Sequence, residues 1–327
     1  MKKKKNKNLI LFILSVILVL SVTMVIKYKN SLNSNTNNNI DNKDNNSNSN
    51  KDNNTDKDAN KENNNPFSTL SYYKEELLDR YKSYYKEHES FSIEQVVTFV
   101  NIGLDKEFYS EYKDANMNKD ILVLMNKYNK LRDDYEPDDL EEIDSKYFIY
   151  GNTLVRKLRK EAKEAFENLS KASIENGTPV YGQSAYRPYE MQSGLYESAV
   201  YEYGKERADI DTARPGFSEH QTGLAIDVSS TKGGNMLYFD DTASFTWMKD
   251  NAYKYGFILR YRDDKTDITG FMYESWHYRY VGLEVAKDMH DNYPDLTYDE
   301  YYTRFLSEKW YSKLEYHFFL FSFTKYL

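Results

Sequence analysis

Two stretches of the 327-residue chain carry histidine and carboxylate side chains at spacings that suit metal chemistry. Residues 218–228 contain His220 and Asp227, and a later stretch contains Glu274 followed by His277. Two imidazoles and one carboxylate are the ligand set of a catalytic zinc ion that leaves one coordination position open for water. We therefore predict a metal site of the two histidines and Asp227, with Glu274 as the base that takes a proton from the water.

Strands are the elements that would bring these side chains together. Apolar residues alternate with Gly223, Ala225 and Asp227, and this period of two predicts a strand that buries its other face. Alternation from His277 onward predicts a second strand. On a straight strand Glu274 and His277 would face opposite sides, so the sequence predicts a bend between them.

A third stretch, residues 182–192, contributes two more polar side chains. Arg187 offers a rigid fork of donors suited to a carboxylate or to a developing oxyanion, and Gln192 adds an amide donor and acceptor. Taken singly, each candidate has a plain structural interpretation: Asp227 could cap a turn, Arg187 could form a surface ion pair, and Glu274 could be solvated. Their occurrence together in one chain favours the functional interpretation.

The three stretches together resemble the VanY-type D-alanyl-D-alanine carboxypeptidases, zinc peptidases that share their core with the amino-terminal domain of hedgehog signalling proteins. Residues 218–227 meet the family pattern S-x-H-x-x-G-x-A-x-D at every position. Residues 274–277 satisfy the pattern E-x-W-H, and residues 184–192 resemble the S-G-Y-R…Q element. The resemblance covers about residues 150–290.

The resemblance implies a role for each matching residue: zinc ligands His220, Asp227 and His277, catalytic residues Glu274 and Arg187, and substrate-binding residues Gln192 and Ser218. Glu274 would be the base, and Arg187 would polarise the scissile carbonyl or steady the peptide. Two positions depart from the family pattern. Ala185 replaces a common glycine, and Ser275 stands where proline is frequent, so the bend that aims Glu274 could be looser.

The reaction implied by the resemblance is hydrolysis of the terminal residue of a peptidoglycan stem peptide by a zinc-dependent D-alanyl-D-alanine carboxypeptidase. The family also contains LD-carboxypeptidases and endopeptidases that cut inside the stem, and the motif residues do not separate these activities. The alternative from another class is a non-catalytic cell-wall-binding module that keeps the fold. The presence of all the chemical residues favours the enzyme.

The distribution of glycine and the helix signals predict the domain organisation. Only Gly103 lies before residue 151, so turn-rich and strand-rich structure belongs to the second half. We predict an α+β domain over 151–290, with a small mixed or antiparallel sheet and flanking helices of the hedgehog-like kind. A helical region over 66–150 is expected to pack on it, and 291–327 form a carboxyl-terminal extension.

Two helices have clear signals. Residues 92–95 form a capping-box pattern that opens a helix, and Gly103 is placed to end it. A second helix is predicted from about residue 152 to residue 176, with an apolar stripe that begins at Leu154 and Leu158.

The amino-terminal residues predict a membrane anchor and a tether. A lysine cluster precedes residues 9–26, which carry no charge, so 1–29 are predicted to be a cytoplasmic tail and one transmembrane helix. A cleaved secretion signal is the alternative. Residues 30–65 are almost entirely Asn, Asp, Lys and Ser and are predicted to be a disordered tether. The enzyme would then be a single-pass protein of the cell membrane whose catalytic domain faces the wall outside the cell.

Composition limits the partners. The chain has no cysteine, which excludes a disulfide scaffold and a thiolate-ligated metal site. The net charge of −8 includes seven lysines and no acid in residues 1–30, so the body after the tether is more acidic than the total and is a poor binder of nucleic acid. The partners predicted are therefore peptidoglycan stem peptides and the membrane, and we expect a monomer.

Overall fold

The structure, a computed structural model, describes residues 65–115, 121–149, 155–231 and 235–307. The predicted membrane anchor, nearly all of the predicted tether and the end of the carboxyl-terminal extension lie outside these ranges. None of the helices within the described ranges is long and apolar enough to cross a bilayer.

The strands form one four-stranded sheet and two small pairs. Their bounds in chain order are β1 Lys113–Asp114, β2 Asn129–Lys130, β3 Leu140–Glu142, β4 Lys157–Arg159, β5 Tyr181–Ser184, β6 Ala225–Ser229, β7 Phe257–Leu259 and β8 His277–Tyr280. The large sheet has the order β5-β6-β8-β7, and every neighbouring pair in it is antiparallel. β1 and β2 pair in parallel, and β3 and β4 pair antiparallel.

Helices precede and flank the large sheet, which confirms the predicted α+β class with small sheets. Their bounds are α1 Leu78–Glu87, α2 Ile93–Ile102, α3 Lys160–Glu175, α4 Tyr189–Tyr203, α5 Lys205–Asp211, α6 Ala243–Asn251, α7 Thr266–Thr269, α8 Leu283–Asn292 and α9 Tyr298–Tyr301. Two 3-10 segments, Glu219–Thr222 and Met236–Asp241, border the site described below.

The two central strands separate polar side chains from the hydrophobic core. Asp227 of β6 lies directly opposite His277 of β8 in the ladder, so their side chains share one face of the sheet. The other face carries Ile226 and Tyr278, which are buried in the same core as Phe166 of α3. Both predicted strands and their alternation are confirmed.

The helix predicted over residues 152–176 is wrong at its amino end. α3 begins at Lys160, and the three residues before it form β4, in which Leu158 lies opposite Glu141 of β3. Leu158 is fully buried, and a buried leucine suits a strand as well as a helix. Pairing with a strand that is distant in sequence decides between the two, and the apolar stripe could not show it.

The capping box predicted at the start of α2 is confirmed. The Ser92 hydroxyl accepts a hydrogen bond from the backbone N–H of Gln95, and the Gln95 side chain accepts one from the backbone N–H of Ser92. Gly103 ends the helix with φ 116°, a conformation that glycine adopts without strain.

Residues 121–131 pack against the sheet and not only against α1 and α2. Met125 belongs to the same buried core as the strands. Lys127 is 2% exposed, and its Nζ donates to the backbone carbonyls of Asp209 at 2.6 Å and Gly270 at 2.5 Å. The region before residue 150 therefore contributes strands and core residues as well as helices to the body that carries the site.

Candidate metal centre and active site

The predicted metal ligands converge on one buried point. One donor atom from each of His220, Asp227 and His277 lies within 4.8 Å of the others. His220 Nε2 is 3.3 Å from Asp227 Oδ2, and His277 Nδ1 is 3.2 Å from Asp227 Oδ1. All three residues are buried. Residues from two parts of the sequence therefore form a single ligand set.

A short 3-10 turn presents His220 at the entrance to β6. Ser218 caps this turn, because its hydroxyl accepts from the backbone N–H of His220 at 3.3 Å. Gly223 then reverses the chain with φ 68° and leads into the strand that carries Asp227. The left-handed φ favours glycine here, and a Cβ at Gly223 would in addition lie 2.8 Å from the Cδ2 methyl of Leu140, which would have to move.

The bend predicted before β8 is confirmed. The backbone N–H of His277 donates to the carbonyl of Glu274 at 3.2 Å, which closes a tight turn. The turn brings Glu274 Oε2 to 3.5 Å from His277 Nδ1. Ser275, in the place where proline is frequent in the family, is buried within this turn.

The donor atoms of the three ligands fit a metal ion. His220 Nε2 and Asp227 Oδ1 are buried and make no well-aligned hydrogen bond with the described residues, although His277 Nδ1 lies 3.2 Å from Asp227 Oδ1, and such atoms are suited to bind a cation. The opposite ring nitrogens are engaged: His220 Nδ1 lies 2.6 Å from the carbonyl of Ala185, and His277 Nε2 lies 3.2 Å from Glu219 Oε2. Each imidazole is thus held so that its second nitrogen faces the common point, as in metal sites.

The electrostatics of the ligands also suit a cation. Burial, reinforced by the nearby Arg187, lowers the pKa of His220 to about 4, so its ring is neutral. Burial opposes ionisation of Asp227, but the two histidines and Arg187 outweigh it and hold its pKa well below the usual range. Burial also favours a neutral His277, yet contacts with Asp227 and Glu219 prevail and raise its pKa to about 9. A metal ion binding here must displace that proton.

Glu274 has the environment of a general base. Its side chain is only 13% exposed, and burial raises its pKa to about 7. His277 favours the charged carboxylate, whereas Asp227 opposes it. A carboxylate with a pKa near neutrality can both take up and release a proton at physiological pH.

Arg187 is placed beside the metal ligands and is held there by Gln192. Its Nη1 donates to Gln192 Oε1 at 2.9 Å, and its Nη2 donates to Asp227 Oδ2 at 3.3 Å. The amide nitrogen of Gln192 donates to the carbonyl of Ala213 at 2.8 Å. Both ends of the Gln192 amide are therefore engaged, and this side chain fixes the direction of the guanidinium.

These residues open into a cleft of about 750 Å³. Leu195 and Tyr203 of α4 and Arg207 of α5 line it, as do Met236 and Leu237 of the second 3-10 segment. The cleft is large enough for a short peptide, and it combines apolar walls with a polar floor.

Four buried charged residues behind His277 escaped prediction from the sequence: Glu219, Arg260, Arg279 and Asp299. Each is at most 2% exposed, and Glu219 pairs with both arginines. Glu219 stands between Ser218 and His220 in the motif, which was the only available signal. The arginines follow it by 41 and 60 residues, and no spacing rule links such positions.

Comparison with known families assigns this site to a group of hydrolases. The family model of the D-alanyl-D-alanine carboxypeptidase VanY matches residues 155–283, a range that contains every residue of the metal centre. YodJ of Bacillus subtilis, a protein with a provisional carboxypeptidase name, is 43% identical over 188 residues. That match covers 57% of this chain and 68% of YodJ. The chain belongs to the VanY family.

Two solved structures resemble this VanY-family chain. The LdcB LD-carboxypeptidase is 38% identical with a TM-score of 0.54, and the match covers 61% of this chain and 97% of LdcB. The D,D-pentapeptidase VanY of a VanB-type resistance cassette, solved in complex with Zn(II), is 31% identical with a TM-score of 0.47. That match covers 55% of this chain and 97% of the VanB-type protein. Two histidines and one aspartate are a donor set that zinc binds in catalytic sites, so zinc is the cofactor that suits this centre.

Proposed function

We propose that this VanY-family protein is a zinc-dependent D-alanyl-D-alanine carboxypeptidase that hydrolyses the terminal residue of peptidoglycan stem peptides. One observation carries the proposal: the buried His-Asp-His set, the carboxylate of Glu274 and the fork of Arg187 all border one cleft. A module that only binds the wall needs a complementary shape, but it does not need a general base next to metal ligands.

Glu274 moves the proton in the proposed reaction. His220, Asp227 and His277 would hold the zinc ion, which would supply Lewis-acid chemistry for a peptide carbonyl and for water. Glu274 takes the proton that the attacking water loses and passes it to the amine of the departing residue. Burial raises the pKa of Glu274 and so favours its uptake of a proton.

Arg187 is proposed to donate to the scissile carbonyl or to the adjoining peptide. Its Nε is buried without a hydrogen-bond partner, so part of its donor capacity is free for a ligand. Gln192 and Ser218 are proposed to hold the region of the terminal carboxylate. Because Gln192 already bonds Arg187 and Ala213, its contribution would pass through the guanidinium that it orients.

An LD-carboxypeptidase activity is the second candidate. The observation that favours it is the similarity to LdcB, whose structure is that of an LD-carboxypeptidase. The ligand set, the base and Arg187 could serve either bond. Residues of the cleft wall such as Leu195, Tyr203 and Leu237 would then set the preference.

Peptide digestion by the full chain tests these possibilities. The substrates are a stem pentapeptide ending in D-Ala-D-Ala and a tetrapeptide ending in an L-residue followed by D-Ala, and mass spectrometry identifies the products. We expect release of D-alanine from the pentapeptide, its loss with a chelator and its return with added zinc. Release from the tetrapeptide alone would favour the LD activity, and an internal cut would indicate an endopeptidase. Zinc-loaded protein that binds both peptides and releases nothing would favour the wall-binding module.

We also propose that residues 9–26 anchor the enzyme in the cell membrane, with the catalytic domain outside. The support is the uncharged stretch and the lysine cluster before it, which favours a cytoplasmic amino terminus. External protease applied to intact cells should remove the catalytic domain and leave a membrane-bound fragment. Recovery of the whole protein in the growth medium would instead support a cleaved signal.

A further inference from the structure

Glu219 is a fully buried carboxylate directly behind a metal ligand. Its Oε2 lies 3.2 Å from His277 Nε2, the ring nitrogen that faces away from Asp227. Its Oε1 accepts hydrogen bonds from Arg260 Nε at 2.8 Å and from Arg279 Nη1 at 2.9 Å. The two oxygens thus have separate partners: one binds the arginines and the other faces the imidazole.

Groups from the segment 121–131 and from α9 hold the two arginines in place. Arg260 Nη1 donates to Asp299 Oδ2 at 2.6 Å, and its Nη2 donates to the carbonyl of Met125 at 3.0 Å. Arg279 Nη2 donates to the carbonyl of Val123 at 2.7 Å. With both guanidinium groups held in this way, Glu219 has little freedom to turn away from His277.

An imidazole that binds a metal through one nitrogen carries a proton on the other, and the acceptor of that proton sets the orientation of the ring. At His220 the acceptor is a backbone carbonyl, which cannot be removed by a side-chain change. At His277 the acceptor is the side chain of Glu219, which a single substitution can alter.

We propose that Glu219 is a positioning residue of the zinc centre, which accepts the Nε2 proton of His277 and thereby directs Nδ1 of the ring to the metal. The inference depends on His277 being a zinc ligand, and it does not depend on which peptide bond the enzyme cuts. The simpler alternative is that Glu219 only neutralises Arg260 and Arg279 and contributes to the stability of the fold.

The variants Glu219→Gln and Asp299→Asn separate the two roles. Both remove one negative charge from the same buried cluster, but only Glu219 contacts His277. We measure the zinc affinity of the full chain by competition with a chromogenic chelator, at a temperature where circular dichroism shows each variant to be folded. Glu219→Gln should weaken zinc binding by about 10–100-fold, the effect of losing a partner behind a ligating histidine. Asp299→Asn should bind zinc within about twofold of the unaltered protein, because its amide oxygen can still accept from Arg260 and Asp299 itself contacts Arg260 and Asn126 but not the imidazole.

A spectroscopic readout makes the test independent of stability. Cobalt(II) in place of zinc reports ligand geometry through its visible bands, and these bands should change in Glu219→Gln and stay the same in Asp299→Asn. If Glu219→Gln does not fold, the charge-balanced pair Glu219→Gln with Arg279→Gln replaces it, and Arg279→Gln alone is its control. Wild-type zinc affinity in a folded variant that lacks Glu219 would overturn the proposal, as would an equal loss in its control. Zinc binding without any peptide hydrolysis would refute the proposed function and leave this inference intact.

Discussion

Glu274 is the residue at which proton transfer and metal binding can be separated. It lies 3.5 Å from His277 but is not one of the three ligands that converge. In Glu274→Gln the amide keeps the shape of the side chain and cannot accept the proton, so we expect kcat to fall by about 10²–10⁴-fold. Metal analysis of the purified variant should show the same zinc content as the unaltered protein. Hydrolysis at the original rate would contradict the role of Glu274 as the base.

Arg187 acts in this site through the planar fork of its side chain. Lysine keeps the charge but cannot hold Gln192 and a substrate group at the same time, so Arg187→Lys should lower kcat/KM by about 10–100-fold with zinc content unchanged. Arg207→Lys is the matched control, because Arg207 lines the same cleft with a side chain that is 56% exposed, and its ion pair among the described residues is with Asp211 on its own helix. Steady-state kinetics on the stem pentapeptide compares the two. Equal losses in both variants would indicate a general effect of charge in the cleft.

The sequence predicted that His220, Asp227, His277 and Glu274 would lie together, because their residue types and spacing leave few structural alternatives. Strand alternation placed Asp227 and His277 on polar faces, and the expected bend put Glu274 next to them. The same reasoning could not find Arg260 or Asp299, since a buried ion pair between distant positions has no local pattern. The predicted contact of Gln192 with the substrate stays a prediction, and the structure adds its bond to Arg187.

At the level of elements, the turn at Gly223 connects two parts of the site. Gly223→Ala must adopt φ 68° and place a Cβ 2.8 Å from Leu140, so we expect a loss of about 2–4 kcal/mol in the free energy of unfolding. Gly177→Ala is the control: it has a similar φ of 79°, but its Cβ would have no neighbour within 4 Å. Its expected loss is only about 1 kcal/mol. Urea unfolding followed by circular dichroism measures both, and equal values would show that the contact with Leu140 is easily relieved.

The segment 121–131 has a buried lysine whose titration can be followed in the stability of the protein. Burial lowers the pKa of Lys127 to about 8, against about 10.4 in an unfolded chain. The folded state therefore loses this proton first, so the unfavourable effect of the buried charge is complete below about pH 8 and decreases as the pH rises towards 10. Relative to Lys127→Met, the unaltered protein should gain about 1 kcal/mol in unfolding free energy between pH 7 and pH 9. A difference that is constant over this range would show that Lys127 keeps its proton.

Element boundaries were predictable where local chemistry sets them. The capping box and Gly103 fix α2 at both ends, and the structure agrees with the sequence there. The start of α3 depends instead on the pairing of β4 with β3, a contact that the apolar pattern before α3 does not show. Periodicity reports burial, and tertiary pairing decides which element the buried residue joins.

At the level of the whole molecule, the region before residue 150 is part of the catalytic body. Deleting residues 66–150 would remove the carbonyls of Val123 and Met125, which accept from the buried arginines. Each such bond to a charged group contributes about 1.5–3 kcal/mol, so we expect the shortened chain to lose cooperative folding. A chain that starts at Asn65 should unfold in a single transition by circular dichroism. A folded, zinc-binding protein without residues 66–150 would show that the region is dispensable.

The sequence predicted the fold class and the position of the catalytic region, and it missed how the two halves of the chain share one core. Residues 121–131 contain no recognisable motif. Only the structure shows that they are buried beside the sheet and that the carbonyl of Val123 binds the buried Arg279. The predicted domain limits and the predicted monomer stay predictions.

Asp299 completes the buried charge cluster behind the metal ligands, and it is synthesised after all of those ligands. A nascent chain presents His220, Asp227 and His277 before the helix that carries Asp299 has left the ribosome. Until then Glu219 alone must balance two guanidinium groups, and dehydrating the surplus cation is unfavourable. The buried cluster should therefore reach its final charge balance late in biosynthesis, after nearly all of the core has been translated.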